Sequence, residues 1–84
     1  MKNIDVATLF LGKNDCRGSN LYSINGKLYS YDTVIAQWDG IDLIGNSTKY
    51  SCSTSRHLGY IKNRIDIWTT KPVPINTRDL RPYL

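Results

Sequence analysis

The chain has no glutamate, one histidine, one phenylalanine and two cysteines among its 84 residues. Each scarcity removes a class of function. Carboxylate chemistry would rest on the aspartates alone: Asp5, Asp15, Asp32, Asp39, Asp42, Asp66 and Asp79. No two of them show the pairing that acid–base hydrolysis requires, and turn or solvation roles account for them. His57 with the distant Cys16 and Cys52 lacks the paired ligand spacing of structural zinc, so no metal and no cofactor is expected. Two cysteines do not make the disulfide framework of a small secreted domain. The apolar stretch at residues 6–11 is too short for a signal segment, and nothing approaches the roughly 20 apolar residues that span a bilayer. These absences point to a soluble, cytoplasmic protein that does not engage a membrane.

What is present describes a folded domain. Hydrophobic content is 40% and charged content 21%, which excludes a disordered chain. The length leaves room for one thin core, so a partner or a homo-oligomer is a natural expectation. A net charge of +4 and a pI near 9.2 favour contact with nucleic acid or an acidic protein surface.

Two turn signals organise the middle of the chain. Asn25-Gly26 lies between residues 21–24 and 27–31, and Asp39-Gly40 lies between 34–38 and 41–45. Both dipeptides fit the positive φ values of a tight type I′ hairpin. Tyr22 is then opposite Tyr29, and Leu21 opposite Ser30. In the second hairpin Trp38 faces Ile41, Ala36 faces Leu43 and Ile35 faces Ile44. Alternation puts Val34, Ala36, Trp38, Ile41 and Leu43 on a core face, with Ile35, Gln37, Asp42 and Ile44 opposite. Tyr22, Tyr29 and Tyr31 share one face as a cross-strand cluster and form the candidate surface for self-association.

Helical signals flank the hairpins. Asn3 as cap, Asp5 in the first turn, a face of Ile4, Ala7 and Leu11 beside Phe10, and Gly12 as stop predict a short helix. A strand competes, because residues 6–11 form a short apolar run. Residues 12–20 read as a polar loop without the lysine placement of a phosphate-binding loop. After a turn at 46–52, Ser53 or Thr54 caps a second helix through residue 65, with Thr54, Leu58, Ile61 and Ile65 on one stripe. Residues 66–70 read as a short strand. Pro72 and Pro74 keep the tail extended, Thr77 caps a last turn at 78–81, and Leu80, Tyr83 and Leu84 dock it. The predicted fold is α+β: an antiparallel meander of three to five strands packed by one or two short helices. Residues 1–70 form one domain and 71–84 a docked tail.

The opposite side of the second helix supplies the binding candidates. Arg56, Tyr60 and Arg64 repeat at i, i+4 and i+8, with Asn63 beside them and Lys49 and Lys62 at the flanks. Such a face can follow phosphates while Tyr60 stacks on a base, or meet an acidic protein, where Arg and Tyr are favoured contact residues. A plain solvated helix face has the same composition. His57 lacks a nucleophile motif and is expected to pack while bonding a backbone carbonyl. Cys52 is expected to be a small buried hydrophobe.

Residues 28–36, Leu-Tyr-Ser-Tyr-Asp-Thr-Val-Ile-Ala, resemble the LYSY-x-T-x-IA segment of small phage-encoded proteins of unassigned function. Residues 49–57, Lys-Tyr-Ser-Cys-Ser-Thr-Ser-Arg-His, resemble their KYS-x-(S/T)-T-S-x-H segment. The resemblance covers roughly residues 6–65 and carries no catalytic residue. It implies that Tyr50, Ser53, Thr54 and His57 form a strand-to-helix junction, and that the chain is of phage origin. Phage accessory proteins often act by stoichiometric binding to a host protein or ribonucleoprotein. The expected function is therefore non-catalytic, most specifically inhibition of a host defence system of the anti-CRISPR kind. The alternative is a nucleic-acid-binding module using the basic aromatic helix face.

Overall fold

Tight turns chain short strands into a sheet that is buried on both faces. In the computed structural model, which describes Met1 to Leu84, helix α1 (Asn3–Leu11) precedes β1 (Cys16–Arg17), β2 (Leu21–Ile24), β3 (Lys27–Ser30), β4 (Thr33–Asp39) and β5 (Asp42–Gly45). Helix α2 (Cys52–Gly59), a 3-10 turn at Lys62–Arg64, β6 (Ile67–Trp68) and a 3-10 turn at Arg81–Tyr83 complete the chain. The fold is α+β. The six strands lie in sequence order, all neighbours antiparallel except β5 and β6, so the sheet is one strand larger than the expected range. The extra strand is β1, inside the loop predicted at 12–20. Cys16 pairs with Ser23 and Arg17 with Tyr22.

The first hairpin has the predicted register, with Leu21 opposite Ser30 and Tyr22 opposite Tyr29. Asn25 and Gly26 take φ of 52° and 74°. The second hairpin closes one residue later than the Asp-Gly signal indicates. Asp39 pairs with Asp42, Trp38 with Leu43 and Ala36 with Gly45, so Gly40-Ile41 is the loop. Gly40 has φ of 64° as the first loop residue, which is the type II′ arrangement. This register leaves Ile41 at the tip, 89% exposed, and keeps Leu43 and Ile44 buried on opposite sides.

Strict alternation also fails within β4. Leu28 pairs with Ala36 while Tyr29 pairs with Val34, so Ile35 is the extra residue of a β-bulge. Ile35 and Ala36 both join the helix-side core with Val6, Ala7, Phe10, Leu21, Leu28, Leu43 and Ile61. Val34 turns to the other side, where it packs with Tyr29, Ile44, Val73 and Leu80.

Helix α1 forms where the helical reading put it, with a different face inward. Val6, Ala7 and Phe10 are buried, and Ile4 is exposed. The cap position belongs to Lys2, whose ammonium cannot accept a bond, so the helix has no side-chain cap, and Asn3 lies in its first turn. Gly12 has φ of −88°; the left-handed residue is Lys13.

Ser51, rather than Ser53 or Thr54, caps α2, its Oγ accepting the Thr54 N–H at 3.2 Å. The helix stops at Gly59 instead of reaching residue 65. Glycine is about 1 kcal/mol poorer than alanine in a helix. The backbone tightens there into i→i+3 bonds from Tyr60 to His57 and Ile61 to Leu58, and Ile61 swings into the core.

The tail covers the sheet face away from the helices. Leu80 and Val73 are buried and Tyr83 is half-buried, while Leu84 is exposed. Thr77 Oγ1 donates to Pro74 O at 2.6 Å and does not cap the last turn, which begins at Arg81 with Pro82 inside it. No helix is long and apolar enough to cross a membrane.

Candidate functional site

The single histidine lies in a polar seam between α1, β3 and α2. Burial, and after it the Arg56 charge, lowers the His57 pKa from its ordinary 6.5, so the ring is neutral at neutral pH. Its partners are side chains rather than the expected carbonyl. Nδ1 is 2.8 Å from Ser30 Oγ and Nε2 is 3.3 Å from Asn3 Nδ2. Ser30 Oγ continues to Thr54 Oγ1 at 3.3 Å, and Ser51 Oγ donates to Thr54 Oγ1 at 3.2 Å. Asn3 Oδ1 is buried without a partner. With that amide turned over, Oδ1 accepts from Nε2–H, and the hydroxyls of Ser51, Thr54 and Ser30 donate in one direction toward Nδ1. The spacing of Ser30 and His57 would suit a nucleophile and its base. Ser30 is 1% exposed, however, and an amide stands where a carboxylate would orient the ring.

A cavity of about 420 Å³ opens beside this seam. Ser30, Thr33, Ser51 and Thr54 contribute hydroxyls, and Tyr31, Tyr50 and Ile75 line it as well. Tyr31 and Asp32 form a two-residue hairpin loop with φ of 49° and 67°. Neither is glycine, and positive φ is a genuine outlier for a bulky side chain. Strained residues of this kind cluster at functional sites. Local contacts offset the strain. The Tyr31 ring stacks on His57 with centroids 6.0 Å apart, and Tyr22 Oη donates to Asp32 Oδ1 at 2.9 Å.

In the expected strand-to-helix junction, Tyr50 lies in the connector after β5 has ended at Gly45, accepting a bond from Asn46 Nδ2 at 3.0 Å and donating to Val73 O. Thr54 and His57 are buried on α2, and Ser53 is half-buried. The predicted helix face is not assembled. Because α2 ends at Gly59, Arg56 is on the helix, Tyr60 is its cap, and Asn63, Arg64 and Lys62 are on the following 3-10 turn. All five are exposed, as is Lys49. Lys49 and Lys62 line one second concavity, together with Trp68. Cys52 is exposed rather than buried.

The three-tyrosine cluster resolves into a pair and a separate ring. Tyr22 and Tyr29 stack with centroids 4.9 Å apart, and the tail leaves Tyr29 4% exposed. Arg17 lies over Tyr22 at 4.6 Å, whose pKa burial and the Asp32 hydrogen bond raise. Tyr31 belongs to the cavity rim.

Compared with known proteins, the chain matches no family model, no curated protein and no solved structure. Sequence reasoning missed Ser30, Trp68 and Ile75 as site residues. Tyr31-Asp32 carries no glycine and left no turn signal. The exposure of Ile75 and Trp68 depends on tail and crossover geometry that no local pattern encodes.

Proposed function

We propose that this protein is a phage-type accessory protein that works without catalysis in the host cytoplasm, by stoichiometric attachment to a host protein or ribonucleoprotein. Its most specific form is an inhibitor of a host defence complex, of the anti-CRISPR kind. The observation that carries this reading is the strained Tyr31, 49% exposed at the rim of the 420 Å³ concavity, with Ile75, 70% exposed, lining the same cavity. Exposed apolar groups around a concavity favour insertion of a partner side chain, and tyrosine is enriched at such anchor points. The two phage-like segments contribute Tyr31, Tyr50, Ser51 and Thr54 to this same cavity.

Affinity capture from host lysate with tagged protein tests it. The expected result is one partner recovered in near-equal amount and lost with Ile75→Asp, a substitution at an exposed position. Recovery of nothing at stoichiometric level counts against the reading. Ester hydrolysis by the purified protein that disappears in Ser30→Ala would replace it with an enzymatic one. Of the residues behind the nucleic-acid alternative, Lys49 and Lys62 converge on the second concavity.

A further inference from the structure

The concavity of about 330 Å³ between residues 46–49, α2 and β6 combines an open aromatic ring, two free cations and a rigid floor. Trp68 is 38% exposed. It approaches the chain at Gly45, where an added Cβ would come within 3.0 Å of Trp68 Cε3 and 2.6 Å of Ile65 Cδ1. Ile65 and the indole pack closely on the bare backbone of Gly45, which seats the ring against β5 at the edge of the cavity.

The floor is held by side-chain bonds. Asn46 Nδ2 donates to Val34 O at 3.0 Å, and Asn46 Oδ1 accepts the Thr48 N–H at 2.9 Å. Thr48 Oγ1 accepts the Val73 N–H at 2.9 Å, and Ser47 Oγ donates to Thr69 O at 2.6 Å. Lys49 follows directly on this pinned segment. Lys62 enters from the turn that exists because α2 stops at Gly59. No aspartate lines the cavity, and the one ion pair of the molecule joins Arg81 to Asp79, so neither lysine is neutralised. Ser55 adds a hydroxyl that makes no internal side-chain bond.

We propose that this cavity takes one nucleotide unit of a single-stranded nucleic acid, with the base against Trp68 and neighbouring phosphates on Lys49 and Lys62. The inference goes beyond the proposed attachment through the Tyr31 and Ile75 cavity and concerns a second, separate surface. Stacking on an open indole suits any base and needs an unpaired strand, because the bases of a duplex are stacked on one another. Lysine ammonium groups suit phosphate as mobile point charges. An acidic protein would use the lysines and leave the indole idle, so dependence on Trp68 separates the two.

Fluorescence anisotropy of a labelled oligothymidylate, titrated with the intact chain at low and moderate salt, tests this. Wild type is expected to bind, more weakly as salt rises. Trp68→Leu should weaken binding about tenfold, the scale of one lost base stack. Lys49→Ala with Lys62→Ala should weaken it and flatten the salt dependence by about 1.4 in log–log slope, as for two single-strand phosphate contacts. Arg56→Ala with Arg64→Ala should leave it within about twofold, well inside one lost contact. Circular dichroism checks the folding of the Trp68 variant, and the two lysines are exposed, so their pair keeps the test valid if that variant unfolds. Absence of wild-type binding at low salt overturns the inference. So does loss in the arginine pair alone, or full competition by polyglutamate with no Trp68 dependence. Partner capture that persists while oligonucleotide binding is absent overturns this inference and leaves the proposed function standing.

Discussion

The two faces of the sheet are sealed by different means. On the helix side, α1 and Ile61 cover Leu21, Leu28, Ile35, Ala36 and Leu43 with apolar side chains. The polar seam around His57 is confined to one end. On the tail side, residues 69–84 have almost no regular structure of their own, yet they bury Val73 and Leu80. Sheet side chains take over the work of a backbone ladder there. Gln37 Oε1 accepts the Leu80 N–H at 2.6 Å, and Gln37 Nε2 donates to Asp79 at 2.9 Å. Thr33 Oγ1 accepts the Asn76 N–H at 2.9 Å. An irregular segment can complete a core when each buried amide is given a named acceptor. The first face depends on volume and the second on hydrogen-bond matching, which makes them separable by mutation.

The largest difference should come from Phe10→Ala. Emptying that site costs about 3–5 kcal/mol, comparable to the whole stability of a small domain. Urea unfolding should show global loss, with the tail released only as the rest unfolds. Gln37→Ala comes next, at about 1–3 kcal/mol for a buried amide left without an acceptor. Hydrogen exchange should quicken first at Leu80 and its neighbours while α1 stays protected. Equal acceleration on both faces would show that they form one cooperative unit.

The smallest effect is a pH dependence that also divides the two faces. The His57 pKa is lower folded than unfolded, so the unfolded chain takes up its proton first. Stability is full above about 6.5 and falls as pH drops from there toward the folded value. On the tail side, Arg81 and then Gln37 hold the Asp79 carboxyl well below its ordinary 3.8. Its contribution is present above that value and fades only in stronger acid. A urea series across pH should show both slopes, and His57→Gln should remove the first and retain the second. A first slope that survives the substitution would assign it to another group.

Local chemistry made much of the helix side legible. Asn25-Gly26 sets a register that the strands obey, and the α+β class follows from two hairpins flanked by helical patterns. What escaped depends on competition between local solutions. Asp39-Gly40 and Gly40-Ile41 both make acceptable two-residue turns, and the strands close on the second, with Trp38 opposite Leu43. The bulge at Ile35 overrides the period of two, so that Ile35 and Ala36 both join the helix-side core. The continuous basic stripe from Arg56 to Arg64 failed at Gly59, which the helical pattern had treated as tolerable. Of the site, a serine cap before α2 was readable as a residue type, but its position was not: Ser51 caps the helix where Ser53 or Thr54 was expected. The Trp68 cavity was not readable, because it joins residues from three separate parts of the chain.

Both borders of the sheet are two-residue strands, β1 and β6. A neighbour seeking to extend the sheet would find a ladder of one or two rungs at either side, and at β1 it would meet Arg17 as well. Long flat borders invite fibrous stacking, and these abbreviated ones deny it a template. The molecule can therefore carry Ile41, Ile75 and Trp68 in the open without recruiting copies of itself through its backbone.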